Sequence, residues 1–360
     1  MPRAPSESEQ PLALNLALQG GGSHGALTWG VLDRLLEEPR LRIAEVSGTS
    51  AGAMNAVVLA TGYAHGGAEG ARAALGAFWK AVSDGARFSP IQRSLWDRLA
   101  GNYSLDRSPG YLMLESLSRM FSPYELNPLD YNPLRDIVQE RVDFDAINSD
   151  AAIRVHVTAT NVRTGQAKTF STGALSSDAV MASACLPQSF KAVEIDGEAY
   201  WDGGYYANPA LFPLVTNTAS NDVLIVQINP LRREEVPRSA RDIINRVNEL
   251  SFNTSLIKEL RTLGMLRDLV AQGLVSPDAN REVHLHMIHG EADVQELAAS
   301  SKMNAEWRYL KHLFERGRIW ADDWLEHHLE DVGRRSSFSL DELFRPNPRP
   351  AGLGPLEENG

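Results

Sequence analysis

The 360-residue sequence predicts an α/β fold with a mainly parallel central sheet, followed by a mostly helical C-terminal region. Near the N-terminus, one apolar segment ends in a glycine run and a second ends in a Gly-x-Ser-x-Gly motif, and a helical pattern follows each of them. Beyond residue 230 the composition changes to long amphipathic stretches. Strands that alternate with helices in this way are typical of a parallel sheet, which the first 230 residues are expected to build.

Four regions are predicted along the chain. We expect a disordered N-terminus over residues 1–11, a main α/β domain over 12–230, a mostly helical extension over 231–345 and a disordered tail over 346–360. The two ends are rich in Pro and in Ser, Glu or Gly, and they lack the apolar residues that a packed core requires. The composition of the whole chain, 43% hydrophobic and 22% charged, is that of a globular protein.

Charge and cysteine content limit the partners and the compartment. The 46 acidic residues outnumber the 35 basic ones, and the net charge of −11 argues against nucleic acid and against a general attraction to anionic membranes. The sequence shows no signal-peptide pattern and no run of about 18 to 20 apolar residues. Cys185 is the single cysteine, so an internal disulfide is excluded. We expect a soluble, cytoplasmic protein whose contact with membranes is peripheral and transient.

The first predicted strand is Leu12–Leu18, whose nearly continuous apolar residues suit a strand buried on both faces. A helix is predicted over residues 26–38 from apolar residues at helical spacing, and Pro39 ends it. Between strand and helix lies the run Gly20-Gly21-Gly22-Ser23-His24-Gly25.

The second predicted strand, residues 42–47, leads into Gly48-Thr49-Ser50-Ala51-Gly52, which is the pattern of a nucleophile elbow. A sharp strand-to-helix turn strains its central residue, and glycines two positions to either side let neighbouring backbone pass without Cβ clashes. Ser50 is therefore predicted at the start of a helix over residues 51–61, where free N–H groups and the helix dipole favour negative charge. This makes Ser50 a candidate nucleophile.

The glycine run has two interpretations. Gly20-x-Gly22-x-x-Gly25 fits the dinucleotide-binding fingerprint, with Glu45 as the nearest acidic residue for a ribose. Alternatively, consecutive glycines at a helix start expose backbone N–H groups that would form an oxyanion hole beside Ser50. We favour the second interpretation because it accounts for both glycine motifs together.

The middle of the chain predicts a candidate base. Residues 63–133 are irregular, and their aromatic side chains suit either a cap over an acyl pocket or the core of peripheral helices. Hairpins are predicted from residues 153–160 with 167–171, and from 193–195 with 199–201. The second hairpin leads into Asp202-Gly203-Gly204, which places a carboxylate in a tight loop at a strand end. A simple Asp-Gly turn is the alternative explanation of that sequence.

The C-terminal part predicts few further elements of the core. Residues 223–229 are expected to form the last strand of the sheet. A helical stripe over residues 243–269, a strand over 282–288 and a helix over 296–329 follow. His284, His286 and His289 lack a suitably spaced carboxylate or thiol, so no metal site is predicted.

Four blocks together resemble the patatin-like phospholipase family in content, order and spacing. They are the glycine run of residues 20–25, the elbow of residues 48–52, Ala182-Ser183-Ala184-Cys185-Leu186-Pro187, and Asp202-Gly203-Gly204. The resemblance covers residues 12–230 and implies a three-layer α/β/α fold and a lipid acyl hydrolase of the phospholipase A type, with a lipid or acyl-ester substrate and without cofactor or metal. The C-terminal part is similar to the helical extension of some bacterial members.

The resemblance also implies roles for individual residues. Ser50 would be the nucleophile and Asp202 the base of a Ser-Asp dyad, with the backbone of Gly20, Gly21 and Gly22 lining the oxyanion hole. Burial in a closed cleft would raise the pKa of the Asp202 carboxyl and make it a better proton acceptor. The family usually has Arg or Lys where this chain has His24, which implies weaker charge support near the oxyanion.

Three alternatives stand beside this hypothesis. A Ser-His-Asp triad of the α/β-hydrolase type would use a histidine after Ser50, although that fold usually places its elbow further into the sheet. A nucleotide-binding protein would use Gly20-x-Gly22-x-x-Gly25. A catalytically silent scaffold would bind a partner through its C-terminal helices. Head group, acyl length and oligomeric state are not indicated by the sequence.

Overall fold

The computed structural model describes residues 10–149, 152–216, 220–233, 235–274 and 283–340. Residues 1–9 of the predicted disordered N-terminus and all of the predicted tail over 346–360 lie outside the described residues, so both predictions of disorder remain predictions.

Within the described residues, eight strands form one sheet. Their bounds are β1 Leu12–Leu18, β2 Leu41–Gly48, β3 Arg154–Asn161, β4 Ala167–Ser171, β5 Val193–Ile195, β6 Glu198–Asp202, β7 Asp222–Gln227 and β8 His284–His289. The order across the sheet is β5-β6-β3-β2-β1-β7-β8, and β4 pairs with β3 outside this path. The central pairs β3-β2, β2-β1, β1-β7 and β7-β8 are parallel, which confirms the predicted mainly parallel sheet.

Helices surround this sheet. Their bounds are α1 Gly25–Leu35, α2 Ala51–Gly85, α3 Leu95–Leu99, α4 Pro109–Ser118, α5 Pro123–Leu126, α6 Pro133–Arg141, α7 Phe144–Asn148, α8 Ser177–Ser183, α9 Phe212–Val215, α10 Ala240–Ala271, α11 Glu291–Glu296 and α12 Trp307–His328. Gly66 and Gly67 interrupt α2 with non-helical backbone angles, so the helix predicted over residues 51–61 is followed by a second helical segment across a kink.

The alternation of side chains along β1 separates two apolar clusters. Leu14, Leu16 and Leu18 pack into a cluster that includes residues of α1, α2 and α12. Ala17 faces the other way, into a smaller cluster with Leu256 and other apolar residues of α9 and α10. Helices therefore cover both faces of the sheet, as the three-layer prediction required.

The prediction that residues 223–229 form the last strand of the sheet is wrong. β8 pairs in parallel with β7, from Asp222 opposite His284 to Gln227 opposite His289. Its side chains are buried from His284 to Ile288, and the strand thus belongs to the core although it lies in the range predicted as an extension. The domain boundary at residue 230 remains a prediction. The sheet does not end there, because β8 lies beyond it in the sequence.

The helix predicted over residues 296–329 begins later, at Trp307. Before it, Ala299–Met303 forms a 3₁₀ turn. The Ser300 hydroxyl accepts a hydrogen bond from the Leu105 amide at 3.1 Å, and the Asn304 side chain donates to the Tyr103 carbonyl at 2.9 Å. Because these polar side chains bind backbone groups of another segment, they favour a turn over a continuous helix.

Exposed apolar side chains mark the irregular middle region. Trp96 is 77% exposed, Leu99 82%, Met120 75% and Leu129 90%. The prediction that the aromatic side chains of this region form the core of peripheral helices is therefore wrong for Trp96 and for Tyr124, which is 58% exposed. Tyr103, in contrast, packs against Tyr309 with ring centroids 4.7 Å apart.

Helices α1 and α12 cross in close contact, and each helix has a glycine at the crossing point. A Cβ atom on Gly30 would lie 2.0 Å from the Phe314 carbonyl oxygen, and one on Gly317 would lie 2.0 Å from the Leu27 carbonyl oxygen. The backbones can approach this closely only because neither position has a side chain.

We expect Gly317→Ala to destabilise the protein by about 1 to 3 kcal/mol, because the added methyl group would force α12 away from α1. Urea unfolding monitored by circular dichroism would measure the change. Gly76→Ala is the matched control: its Cβ would lie 3.7 Å from Trp29 Cζ2, an ordinary contact, so helix propensity should leave it neutral or stabilised. Equal stability of Gly317→Ala and wild type would contradict this account of the crossing.

Candidate active site

The glycine run and the elbow meet because β1 and β2 are adjacent parallel strands. Leu18, the last residue of β1, lies opposite Gly48, the last residue of β2. Parallel strands end at the same edge of a sheet, so the loops that follow them lie side by side. A Cβ atom on Gly20 would lie 2.7 Å from Ser50 Cβ, which shows how closely the two loops approach.

Ser50 occupies the strained turn expected of a nucleophile elbow. Its φ of 55° and ψ of −122° lie in a region that side chains rarely adopt. The residue is partly exposed between buried β2 and the buried start of α2. Such a backbone conformation costs of the order of 1 to 3 kcal/mol and is found mainly at functional sites.

Gly48 and Gly52 make this turn possible. A Cβ atom on Gly48 would lie 2.5 Å from the backbone of Gly52, and one on Gly52 would lie 2.2 Å from the Leu18 carbonyl oxygen. The start of α2 therefore packs directly on the end of β1, and both positions require glycine.

The third block of the predicted pattern joins Ser50 to Asp202. The Ser50 amide donates to the Ser183 hydroxyl at 2.9 Å, and the Asp202 amide donates to the Cys185 carbonyl at 2.8 Å. Two residues of one short segment thus hold both candidate catalytic residues. The thiol of Cys185 is buried, and burial raises its pKa to about 12.

Asp202 lies at the end of β6 and is fully buried. The Gly204 amide donates to its Oδ1 at 2.7 Å, whereas its Oδ2 has no partner of ordinary hydrogen-bond geometry among the described residues. Burial raises the pKa of the carboxyl from 3.8 to about 7, against the opposing effects of the Gly204 amide and the Ser50 hydroxyl.

The Ser50 hydroxyl is close enough to the Asp202 carboxyl to favour its ionised form, which lowers the pKa of the carboxyl against the effect of burial. Within the described residues, no hydrogen bond of ordinary geometry joins the two groups, and Asp202 Oδ2 has no partner. Hydrogen bonds between catalytic groups are often long in the absence of substrate, and they shorten when a substrate aligns the two groups.

Gly203 and Gly204 allow the Asp202 loop to pack closely. A Cβ atom on Gly203 would lie 2.0 Å from the Thr158 carbonyl oxygen, and one on Gly204 would lie 2.0 Å from the Phe252 ring. Phe252 belongs to α10, so the C-terminal region also contacts this loop.

Gly20 differs from its predicted role. Its amide donates to Asn208 Oδ1 at 2.7 Å, and its carbonyl accepts from the Asn229 side chain at 2.7 Å. The Gly20 N–H is therefore occupied and does not donate to an oxyanion in this conformation.

The amides of Gly21 and Gly22 differ from that of Gly20. They lie at the start of the 3₁₀ turn Gly22–His24, where the first N–H groups have no partner within the turn. Among the described residues, neither amide donates to a protein acceptor. Gly22 has a φ of +59°, and a Cβ there would lie 2.5 Å from the Lys302 carbonyl oxygen, so this position requires glycine.

Ser23, His24 and Gly25 are all buried. His24 Nε2 lies 2.8 Å from Ser301 Oγ, and burial followed by the charge of Lys302 lowers the pKa of the imidazole well below 6.5. His24 is thus neutral at pH 7. A Cβ atom on Gly25 would lie 2.8 Å from Ala51 Cβ, which fixes the start of α1 against the start of α2.

The sequence analysis missed Asn208, Asn229 and Gln19. Gln19 Oε1 accepts from the Ile228 and Asn229 amides at 2.9 and 3.0 Å, and its Nε2 donates to the Asn208 carbonyl at 3.2 Å. Together, these side chains hold both polar groups of Gly20. No motif marks the two asparagines, which lie about 190 and 210 positions from the loop; Gln19 was visible only as the neighbour of the glycines.

Three of the histidines after Ser50 contact groups outside the candidate site. His156 contacts Glu45 at 3.2 Å and Ser171 at 2.8 Å, while His284 and His286 contact Asp222 Oδ1 at 3.2 and 3.0 Å. Glu45, the acidic residue of the nucleotide-binding alternative, is therefore bonded within the sheet. Over the described residues, no group of three or more His, Cys, Asp or Glu residues is arranged to hold a metal ion.

A surface cavity of about 1020 Å³ lies between the segment around residues 233–249 and the segment 295–299. Neither Ser50 nor Asp202 lines it. This cavity is therefore separate from the two candidate catalytic residues. In the part of the chain that the structure describes, no helix has the length and apolar character needed to cross a membrane.

A family model described as patatin-like phospholipase matches residues 16–215, which is more than half of the chain and includes the four blocks. No curated protein matches the sequence.

Several solved structures are similar to this chain, including the following two. VipD from Legionella pneumophila is 15% identical, with 89% of this chain and 67% of that chain covered and a TM-score of 0.39. ExoU of the type III secretion system of Pseudomonas aeruginosa, solved in complex with SpcU, is 16% identical, with 92% and 76% covered and a TM-score of 0.29. At these scores neither likeness carries an argument about this chain.

Proposed function

Since the chain belongs to the patatin-like phospholipase family, a family of lipid hydrolases, we propose that it is a serine acyl-ester hydrolase of the phospholipase A type, with Ser50 as nucleophile and Asp202 as base. A lipid acyl ester would be the substrate, and the reaction would pass through an acyl-enzyme on Ser50.

The environment of Asp202 carries this proposal. An aspartate at its ordinary pKa is a poor acceptor for a serine proton. The buried carboxyl of Asp202, with its pKa raised to about 7 and the Ser50 hydroxyl beside it, is instead suited to accept and return a proton near neutral pH.

Backbone amides support the transition state. As the Ser50 oxygen attacks the ester carbonyl, negative charge develops on the carbonyl oxygen. The amides of Gly21 and Gly22 bind no acceptor among the described residues and lie at the start of a helical turn, and they are our candidates for the oxyanion hole. One good donor of this kind contributes about 3 to 4 kcal/mol.

The proton follows a closed cycle. Asp202 takes the Ser50 proton during attack and gives it to the leaving alcohol when the tetrahedral intermediate collapses. Water then attacks the acyl-enzyme and passes a proton to Asp202, and this proton returns to the Ser50 oxygen as the fatty acid leaves. A histidine triad would need an imidazole beside Ser50, and the described contacts of the downstream histidines lie elsewhere.

We also propose transient, peripheral contact with lipid surfaces, and a cytoplasmic location because of the single cysteine. The exposed apolar side chains Trp96, Leu99, Met120 and Leu129 support the membrane contact.

A panel of acyl esters and phosphatidylcholine vesicles tests the proposal. We expect release of fatty acid but not of the phosphorylated head group, and modification of Ser50 by a fluorophosphonate, located by mass spectrometry. Vesicle sedimentation of wild type and Trp96→Ser would test the membrane contact, which we expect the substitution to weaken. Labelling of a different residue, or release of the head group alone, would contradict the proposed chemistry.

A further inference from the structure

Residues 301 and 302, in the 3₁₀ turn before α12, contact the glycine loop at two points and bind Asn229, a partner of that loop, at a third. Ser301 Oγ lies 2.8 Å from His24 Nε2. The Lys302 carbonyl occupies the space where Gly22 would carry a Cβ. Lys302 Nζ donates to Asn229 Oδ1 at 2.8 Å. A segment about 280 residues away in sequence thus forms one wall of the loop.

The contact with Asn229 continues to the backbone of the loop. Asn229 Nδ2 donates to the Gly20 carbonyl at 2.7 Å, and this carbonyl belongs to the same peptide group as the Gly21 N–H. A hydrogen bond to a peptide oxygen polarises the group and strengthens its N–H as a donor. Two successive hydrogen bonds therefore connect Lys302 through the Asn229 side chain to the Gly20–Gly21 peptide, whose N–H is a proposed oxyanion donor.

His24 does not supply positive charge to this loop. The Ser301 hydroxyl donates to the Ala298 carbonyl at 2.6 Å, so its oxygen accepts from His24 Nε2 and from the Tyr309 hydroxyl. This arrangement assigns the Nε2–H form to His24, and burial with the nearby charge of Lys302 lowers the pKa of the ring. The neighbouring ammonium belongs to Lys302.

Other charges act on Lys302. Burial lowers the pKa of its amine, Glu249 favours the protonated form and Arg233 opposes it. Glu249 is itself paired with Arg233 at 2.6 Å and Arg246 at 3.1 Å. Within the described residues, no carboxylate lies in direct contact with the Lys302 ammonium.

We propose that Lys302 is a positioning residue for the hydrolytic reaction: through Asn229 it orients and polarises the Gly20–Gly21 peptide, so that the Gly21 amide binds the oxyanion more strongly. The inference rests on the proposed function and adds a residue outside the four sequence blocks.

Lys302→Met, Lys302→Gln and Lys302→Arg separate charge from hydrogen bonding. The effect falls on the transition state, so we expect Lys302→Met to lower kcat by about 10-fold or more with little change in KM. Lys302→Gln keeps a donor without charge and should be intermediate, and Lys302→Arg should recover most of kcat. Lys258→Met, on the exposed side of α10, is the matched control and should retain wild-type kinetics.

A double-mutant cycle tests the route through Asn229. In an Asn229→Ala background, Lys302→Met should lower kcat much less than in wild type, because the connection is already broken. Full additivity would overturn the relay.

The remaining outcomes are distinct. An unchanged kcat in a folded Lys302→Met protein would overturn this inference. If Ser50→Ala were inactive in the same assay, the proposed function would still stand. Equal losses in the Met, Gln and Arg variants, in parallel with lower melting temperatures, would show a structural role and also overturn it. If Lys302→Met does not fold, the Gln and Arg variants decide. Activity that survives Ser50→Ala would remove the proposed function itself.

Discussion

Ser50→Ala is expected to lower ester hydrolysis by about 10⁴- to 10⁶-fold, because it removes the only proposed nucleophile and leaves the surrounding backbone in place. The substitution keeps the Cβ atom, and the hydrogen bond from the Ser50 amide to Ser183 does not involve the Ser50 hydroxyl. The fold should therefore persist, and the loss should be chemical. Steady-state assays on a short-chain ester, together with circular dichroism of both proteins, would measure it.

Ser116→Ala is a suitable control for that experiment. Ser116 is exposed on α4, and its hydroxyl donates to the Leu112 carbonyl at 2.8 Å, far in sequence from any block of the site. Its activity should equal that of wild type. Hydrolysis by Ser50→Ala within a few-fold of wild type would refute the assignment of the nucleophile.

Asp202→Asn is expected to lower kcat/KM by about 10²- to 10⁴-fold, because the amide cannot accept the Ser50 proton. Its oxygen can still accept the Gly204 amide, so the loop should keep its shape. In wild type, kcat/KM should rise with pH as Asp202 loses its proton at about 7 and then level off. The residual rate of the variant should lack this rise.

The stability of the wild-type protein should fall with rising pH, in the opposite direction to kcat/KM. The pKa of Asp202 is raised on folding from 3.8 to about 7, so the unfolded chain loses this proton first. This group therefore reduces the stability of wild type as pH rises from about 4 to about 7, by up to about 4 kcal/mol. Asp202→Asn is free of that cost, and its melting temperature relative to wild type should increase across the same pH range.

Asp196→Asn provides the control for both measurements. Asp196 lies six positions earlier, exposed in the turn between β5 and β6 at a φ of 53°, which asparagine tolerates. It should change neither the pH profile nor the melting temperature appreciably. A variant Asp202→Asn with the wild-type pH profile would show that another group takes the proton.

The parts of the site that sequence could predict are those defined by local backbone. Gly48, Gly52, Gly203 and Gly204 each face another backbone or a ring so closely that no side chain fits, which leaves a pattern of glycines at fixed spacing. The apolar strand Leu12–Leu18 was predicted with its observed bounds for a similar reason, because burial on both faces requires an unbroken apolar run.

What sequence could not predict depends on distant partners. Whether the Gly20 amide is free depends on Asn208, and the polarity of the Gly20 carbonyl depends on Asn229 and Lys302. Each of these residues is an ordinary polar residue in its own segment. Similarly, the sequence of residues 282–288 predicts a strand but not the strand with which it pairs, since strand pairing is decided by the tertiary fold.

The position of β8 determines what can be removed from the chain. A fragment that stops at residue 230 would leave β7 with an unpaired edge of backbone donors and acceptors, and unpaired edges of this kind recruit other strands. The fragment would also lack α12, whose Gly317 packs closely on the backbone of Leu27, so this part of α1 would be exposed. Expression of the N-terminal 230 residues alone should therefore yield aggregates, and the enzyme has to be produced and engineered with the residues after 230 attached.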